Sequence, residues 1–183
     1  NVTVPAFGKH MIYAALEGAA VGFMLGLTDD EIARGIAAYE TVGRRAAVVD
    51  PGFITLIDDC YNANPDSMKA AMKTLKEQKL DPGAKKIAIL GDMLELGTVA
   101  ESSHTEVGEI AANSADVLLC CGELAKLIVI GAKEAGLSES YHFETKDELA
   151  EYLIKIAKPG DMVWIKASRG MRFEDIAEKF FED

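Results

Sequence analysis

Residues 57–68 of the chain read IDDCYNANPDSM and mark a connection from a strand to a helix. They extend an apolar run, FITLI at 53–57, whose β-branched and aromatic residues are typical of a strand. Asn64 and Pro65 form a typical helix start, because asparagine caps the first turn and proline fits the first helical position. Two adjacent carboxylates, a tyrosine and two asparagines are therefore predicted at this connection.

These polar residues have two interpretations. Backbone N–H groups at the start of a helix favour an anion, and the side chains can hydrogen-bond a sugar or a base. An Asx turn with a well-made helix cap explains the same residues without a ligand. From these residues alone both interpretations stay open.

Strands and helices alternate from this connection to the end of the chain. Spaced apolar residues predict helices between the strands, and the nearly continuous apolar strand at 86–90 predicts burial on both faces. We expect an α/β fold with a doubly wound, mostly parallel, Rossmann-like sheet. The predicted strands are 46–49, 53–58, 86–90, 116–121, 141–143 and 161–166.

Four polar segments follow predicted strands, at 58–67, 91–97, 122–123 and 167–172. Open α/β sheets bind ligands outside the carboxyl ends of their strands. We therefore expect the loops that carry Asp59, Asp92 and Lys166 to meet along one edge of the sheet. We call this edge, with its four polar segments, the rim.

The first forty residues have a different pattern, with two helices and no strand. Residues 11–27 are apolar but include Glu17 and many Ala and Gly residues, which predicts a closely packed buried helix rather than a membrane span. Thr28 and Glu31 form a capping box that predicts a second helix at about 29–40. This pattern is typical of the end of a domain whose beginning is absent.

The composition excludes some classes of function. Lys and Arg total 19 against 30 Asp and Glu, a formal charge of −11, which argues against a protein that mainly binds nucleic-acid phosphates. Apolar residues make up 49% of the chain, enough for a core. Cys60, Cys120 and Cys121 match neither a zinc spacing nor a disulfide framework, which predicts a reducing, cytoplasmic setting.

Four ordered motifs resemble those of the Mur ligase family. Residues 58–68 resemble the family's aspartate and Tyr-Asn-Ala-Asn-Pro segment. The stretch GDMLELG at 91–97 is similar to the signature of the members that add D-alanyl-D-alanine. The stretch KASR at 166–169 resembles Lys-Gly-Ser-Arg, with Ala167 in place of the glycine, and residues 43–44 resemble the Gly-Arg pair that begins the family's C-terminal domain.

The resemblance implies an ATP-dependent ligase of peptidoglycan synthesis. ATP phosphorylates the terminal carboxylate of a UDP-N-acetylmuramoyl tripeptide, and the amine of D-Ala-D-Ala attacks the acyl phosphate. Mg²⁺ and cationic side chains neutralise the triphosphate in such a reaction. The UDP-muramoyl peptide and D-Ala-D-Ala are the implied partners; nucleic acid and a membrane span are not.

The resemblance also implies a division into domains. Residues 1–42 would be the last helices of a truncated central ATPase domain, and residues 43–183 the family's C-terminal domain. No phosphate loop ending in Gly-Lys-Thr or Gly-Lys-Ser occurs in the 183 residues. We therefore expect this fragment to be inactive alone, with Mg²⁺ bound mainly by the missing domain. We expect a monomeric full-length enzyme. In the fragment we expect the face of residues 11–27 to be exposed, with self-association or partial disorder of residues 1–42.

Individual roles follow from the same resemblance. No catalytic residue and no metal ligand is assigned to this fragment. A lysine and an arginine suit the carboxylate of an amino substrate. The nucleotide-binding positions are Arg44, Asp59, Tyr61, Asn62, Asn64 and His10, and the substrate-binding positions are Asp92, Lys166, Ser168 and Arg169.

Structural roles compete with several of these assignments. Asn64 could be only a helix cap, Lys166 an ordinary strand end, and Ser168 a cap of the last helix. His104 is more typical of a structural histidine than of a catalytic base. Asp92 could also bind a metal with its neighbour Glu95.

Two other functions remain open. One is a related ligase with another amino substrate, such as the diaminopimelate- or lysine-adding Mur ligase or folylpolyglutamate synthetase. The other is a stand-alone module for nucleotide binding or protein interaction. A comparison of amino substrates would distinguish a related ligase from one that adds D-Ala-D-Ala. A stand-alone module predicts ATP affinity without further domains.

Overall fold

A computed structural model describes residues 1–8, 10–40, 43, 45–49 and 52–179, except for the side chain of His10. The chain divides into two compact units, Asn1–Val42 and Gly43–Asp183. We call them the helical unit and the sheet unit.

The described residues of the helical unit form two helices, α1 at His10–Met24 and α2 at Asp29–Ala37. The chain leaves α1 through Gly26, whose φ of 80° suits glycine. The capping box that starts α2 is confirmed, because the Thr28 hydroxyl accepts the N–H of Glu31 and the Glu31 carboxylate accepts the N–H of Thr28. The predicted end of α2 at residue 40 was three residues too far.

Residues 11–27 are not closely packed and buried in this chain; the exposed face expected of the fragment is present instead. The side chains of Tyr13 and Phe23 are 71% and 75% exposed. The small Gly22 lets α1 approach α2, since a Cβ there would lie 2.9 Å from Cγ1 of Ile32. Two helices supply no further layer to cover the remaining apolar face of α1. No helix among the described residues is long and apolar enough to cross a membrane.

In the described part of the sheet unit, six strands form one sheet in the order β1-β2-β6-β3-β4-β5. β1 pairs antiparallel with β2, and all other neighbours pair in parallel. The predicted mostly parallel sheet is therefore confirmed, with strand ends shifted by one or two residues. The strands β1 to β6 are Ala47–Val49, Thr55–Asp58, Lys86–Gly91, Val117–Cys121, Ser140–Phe143 and Met162–Lys166.

Helices cover both faces of this sheet, because alternate residues of a strand point to opposite sides. Leu56, Ile89 and Ile165 share one core cluster with buried residues of α6 and α7. The apolar residues of α3, α4 and α5 are buried outside that cluster, α3 and α5 against the strands and α4 between those two helices. The helices α3 to α7 are Pro65–Glu77, Ala100–Ala112, Ala125–Glu134, Lys146–Ile156 and Glu174–Glu178, with short 3₁₀ turns at Gly97–Val99 and Arg169–Met171. The apolar spacing of Phe173, Ile176, Ala177 and Phe180 predicts a last helix that reaches residue 180, which lies outside the described residues.

β6 is the last strand in the chain but lies between β2 and β3 in the sheet. The chain runs from β6 into α7 on one face, whereas β2 and β3 lead into α3 and α4 on the other. Such a point, where neighbouring strands lead to opposite faces, is where open α/β sheets bind ligands.

Candidate functional site

A buried ion pair joins the loops that follow β2 and β6. The Lys166 ammonium lies 2.8 Å from Oδ2 of Asp59, with the two side chains 3% and 16% exposed. The ammonium also donates to the carbonyl oxygen of Asn62 at 2.9 Å. Asp58 and Ile165 are partners in the sheet register, so the two loops start side by side. The buried side chain of Lys166 therefore fixes the position of the loop that follows β2.

Asp59 has a second set of contacts. Its Oδ1 accepts the N–H of Ala46 at 3.1 Å, and its own N–H donates to the carbonyl of Ile165 at 2.9 Å. Ala46 has a φ of 51°, a left-handed conformation rare outside glycine. The carboxylate thus links the entry of β1 to β6.

Ser168 joins three loops of the rim. Its hydroxyl accepts the N–H of Leu94 at 2.9 Å and donates to the carbonyl of Ala63 at 3.4 Å. Its N–H donates to the carbonyl of Asp92 at 3.1 Å. The N-cap of the last helix, α7, is Phe173 and no side chain caps it, so the alternative role of Ser168 as a cap of that helix is wrong.

Asp92 links the loops after β3 and β4. Its Oδ1 accepts the N–H of Ala125, the first residue of α5, at 2.7 Å. Gly122 has a φ of 132°, and a Cβ there would overlap the Asp92 carboxylate. Glycine at 122 is therefore required both by the backbone and by the space that Asp92 fills.

These contacts confirm that Asp59, Asp92 and Lys166 meet along a single rim. The same contacts occupy much of their hydrogen-bonding capacity inside the protein. The buried polar groups of the rim therefore fix the loops relative to one another.

Other residues of the rim face solvent. Tyr61 is 46% exposed, and the Arg45 guanidinium lies 4.0 Å from the centroid of its ring, a cation–π contact. Asn62 is exposed, with its Oδ1 accepting the N–H of Ala63 at 2.9 Å. Asn64 caps α3, with its Oδ1 accepting the N–H of Ser67 at 2.8 Å. The helix cap predicted at Asn64 is confirmed.

Arg169 is the exposed cation of the predicted substrate set. Its side chain is 61% exposed, and Nη1 lies 2.9 Å from Oε1 of Glu174, whose side chain is only 8% exposed. Sequence reasoning missed Glu174, because an acidic residue at a helix start is explained by the helix dipole alone. The pairing depends on the turn between them, where Arg172 has a φ of 51°.

Two predicted nucleotide contacts receive no structural account. Arg44 lies outside the described residues. His10 is the first residue of α1 in the helical unit, and its side chain is not described. Among the described part of the chain, no three His, Cys, Asp or Glu side chains form a group that could hold a metal ion.

His104 is buried and hydrogen-bonds to the backbone of the loop that follows β3. Its Nε2 accepts the N–H of Met93 at 2.9 Å, and its Nδ1 lies 2.6 Å from the carbonyl oxygen of Ala100. These partners fix a neutral tautomer with the proton on Nδ1. The structural interpretation of this histidine is supported by both contacts.

Cys60 follows Asp59 of the ion pair in the sequence, but its thiol is unreactive. Burial, followed by the negative charge of Asp58, raises the pKa of its thiol far above the usual range. The thiol therefore stays protonated and is a poor nucleophile.

The rim continues into a cavity of about 460 Å³ at the carboxyl ends of β4 and β5. His142 holds one wall, with Nε2 at 2.9 Å from the carbonyl oxygen of Gly122. Lys146 lines another wall and donates to Oδ2 of Asp175 at 2.5 Å. The cavity walls carry both signs of charge and do not select one class of ligand.

Comparison with known proteins identifies the family. A family model described as "Mur ligase, glutamate ligase domain" matches residues 43–169. The chain belongs to the Mur ligase family. The match ends at Arg169, so it includes every predicted site residue of the sheet unit.

Individual Mur ligases resemble the chain over nearly its whole length. The UDP-N-acetylmuramoyl-tripeptide–D-alanyl-D-alanine ligase of Bacillus subtilis is 34% identical over 98% of this chain and 39% of its own length. The Escherichia coli ligase of the same name is also 34% identical, over 100% of the chain and 39% of its own length. The chain therefore spans about two fifths of these relatives.

Solved Mur ligases share the fold. A MurF structure from Acinetobacter baumannii superposes with a TM-score of 0.85 at 27% identity, over 100% of this chain and 40% of that one. A MurF ligase from Thermotoga maritima, solved in complex with ADP, gives a TM-score of 0.74 at 29% identity, over 88% of this chain and 35% of that one.

Proposed function

We propose that the chain is the C-terminal portion of an ATP-dependent ligase that adds D-Ala-D-Ala to a UDP-N-acetylmuramoyl tripeptide. The observation that carries this proposal is 34% identity, over nearly the whole chain, to two ligases of that name. The type of Mur ligase is supported by the motif at 91–97. Its backbone is held by Ser168 and His104 at the centre of the rim.

Residues 1–42 are, in this proposal, the last helices of the central ATPase domain, and residues 43–183 are the C-terminal domain. The exposed apolar face of α1 supports the first assignment, since such a face is stable when another layer covers it. The family model, which begins at residue 43 and ends at residue 169, supports the second. The fragment alone would then lack the phosphate loop and would not catalyse ligation.

The nucleotide side of the rim would be formed by exposed residues of the β2 loop. Tyr61 offers a ring and Asn62 an amide to the base and ribose of ATP, and Arg44 would approach the phosphates. Asp59 would act mainly by fixing this loop through Lys166 and Ala46. ATP supplies the phosphoryl group that activates the substrate carboxylate. Mg²⁺ would be held mainly by the ATPase domain.

The amino-substrate side would be formed by the loop after β6. Arg169 has an exposed planar guanidinium, which suits the carboxylate of D-Ala-D-Ala. Lys166, Ser168 and Asp92 are buried and bonded within the protein, so we assign them to holding this loop in place. Electrostatic preorganisation of this kind costs no rearrangement when substrate binds.

The test is phosphate release by the complete ligase that contains these 183 residues. With ATP and the UDP-muramoyl tripeptide, D-Ala-D-Ala should give turnover, whereas diaminopimelate, lysine and glutamate should not. Turnover with one of these other amino substrates would replace the proposed type of ligase by a related one. ATP affinity of the isolated chain, measured by calorimetry, would instead support a stand-alone nucleotide-binding module.

The role of Lys166 is tested in the same assay. Lys166→Ala should raise the KM values for both ATP and D-Ala-D-Ala, because this lysine holds the loops on both sides of the rim. Lys133→Ala, at the exposed far end of α5, is the matched control and should leave both values unchanged. Unchanged kinetics in Lys166→Ala would remove this residue from the site.

A further inference from the structure

Glu174 carries a buried carboxylate with a partner at only one of its two oxygens. Oε1 pairs with Nη1 of Arg169 at 2.9 Å, while Oε2 is buried and has no hydrogen-bond partner among the described residues. Buried carboxylate oxygens are normally bonded, because desolvation without a partner costs free energy. An exception at the edge of a candidate site points to a functional reason for keeping the charge.

Arg169 is also only partly used. A guanidinium has five N–H donors in a rigid plane. Glu174 is its one charged partner in the described part of the chain, through a single nitrogen. Since the side chain is 61% exposed, most of the guanidinium remains accessible to solvent.

The two residues differ in rigidity. Glu174 is the first residue of α7, whose Ile176 and Ala177 are buried in the core. Arg169 starts the short 3₁₀ turn at Arg169–Met171, on the exposed side of the rim. A long arginine side chain loses conformational freedom when it binds a ligand, and a fixed partner removes part of that loss beforehand.

We propose that Glu174 is a positioning residue that orients Arg169, so that the free edge of the guanidinium meets the carboxylate of the amino substrate. This inference rests on the proposed function, because it takes Arg169 as the carboxylate-binding residue. Glu174 itself does not touch substrate. The pair explains why a buried charge is retained beside the rim.

The test uses the complete ligase with Glu174→Gln, which keeps the shape and removes the charge. The KM for D-Ala-D-Ala should rise about tenfold, because a misplaced guanidinium loses most of its binding contribution. The KM values for ATP and for the UDP-muramoyl tripeptide should stay within about twofold, and kcat within about threefold. The thermal midpoint should not fall, since a poorly bonded buried charge is removed.

A double-mutant cycle separates positioning from a general structural role. Arg169→Ala alone should raise the same KM, and adding Glu174→Gln to it should have no further effect. Asp175→Asn is the matched control, a neighbouring acid of α7 paired with Lys146 and Arg172, and should leave the KM for D-Ala-D-Ala unchanged. If Glu174→Gln does not fold, Glu174→Asp serves, since its shorter side chain should give the same rise.

Three outcomes with the Glu174 variants would overturn the inference. They are an unchanged KM in Glu174→Gln, an equal rise for all three substrates, or additive effects in the double variant. An Arg169→Ala ligase with unchanged kinetics would overturn it as well, while leaving the ligase activity itself intact. No phosphate release with D-Ala-D-Ala by the unmodified ligase would instead remove the proposed function and, with it, this role of Glu174.

Discussion

The helical unit and the sheet unit contain the same sequence signals for starting a helix, but they differ in how far their apolar residues are buried. Each has a helix that starts with a threonine–glutamate capping box, at Thr28 and at Thr145. In the sheet unit Leu56 and Leu119 are fully buried, whereas in the helical unit Phe23 and its apolar neighbours are exposed. Capping and propensity define where a helix starts, but a core requires another layer to pack against.

The largest expected effect is a cavity in the sheet unit. Leu119→Ala should lower the free energy of unfolding by about 4 kcal/mol, because Leu119 is fully buried in the core cluster. Leu16→Ala, in the exposed face of α1, should change it by less than about 0.5 kcal/mol. Urea unfolding followed by the fluorescence of Trp164, the single tryptophan of the chain, reports the sheet unit. Equal effects of the two variants would contradict the difference between the units.

A methyl group added to a glycine should have opposite effects in the two units. A Cβ at Gly108 would overlap the carbonyl oxygen of Ile128, where α4 and α5 pack closely. Gly108→Ala should therefore cost about 3 kcal/mol. Gly18 in α1 has nothing within 4 Å of an added Cβ, so Gly18→Ala should stabilise the helical unit by about 0.5–1 kcal/mol. Thermal unfolding by far-UV circular dichroism measures both changes.

Self-association should depend on the helical unit. Its helices leave an apolar groove of about 340 Å³ between them, next to the exposed face of α1. Light scattering should show a mass above the monomer that grows with concentration, and Phe23→Glu should weaken the association about tenfold.

Val48→Glu is the control for that experiment, since Val48 is an exposed apolar residue of the sheet unit. It should leave the measured mass unchanged. A monomeric parent chain, or an equal effect of both variants, would contradict association through residues 1–42.

The smallest expected effect is a pH dependence of α2. The Glu31 carboxylate accepts one hydrogen bond from the backbone N–H of Thr28 and one from its hydroxyl. Both bonds lower the pKa of this carboxylate, the backbone bond more than the side-chain bond. The stabilisation is therefore present above the unfolded pKa of about 4.3 and is lost as the pH falls through the lower folded pKa. Helicity should drop slightly as the pH falls below the unfolded pKa and through the lower folded one. Glu31→Gln should remove this step in a circular dichroism titration, and an unchanged step would exclude Glu31 as its source.

The fold could be predicted from sequence wherever the signal is local. The connection at 57–68, the Asn64 cap and the strand periodicity each depend on neighbouring residues, and each was correct. The burial predicted for α1 is not found in this chain, because burial depends on what packs against a helix and not on its composition.

The internal contacts of the site could not be predicted in the same way. Lys166 bonds to Asn62 across a separation of 104 residues, and no local pattern shows that its ammonium turns inward. Its place at the end of a strand was predictable from the apolar run before it. Its partners follow from the strand order, in which the last strand lies beside β2.

Gly91, Ala167 and Phe173 share one small space behind the rim. A Cβ at Gly91 would lie 2.8 Å from the Cβ of Ala167 and 2.5 Å from Cζ of Phe173. A side chain at position 91 therefore requires that residue 167 lose its methyl group and that the ring of Phe173 move away. The sizes of residues 91 and 167 consequently constrain each other, although neither residue bonds to a solvent-facing side chain among the described residues of the rim.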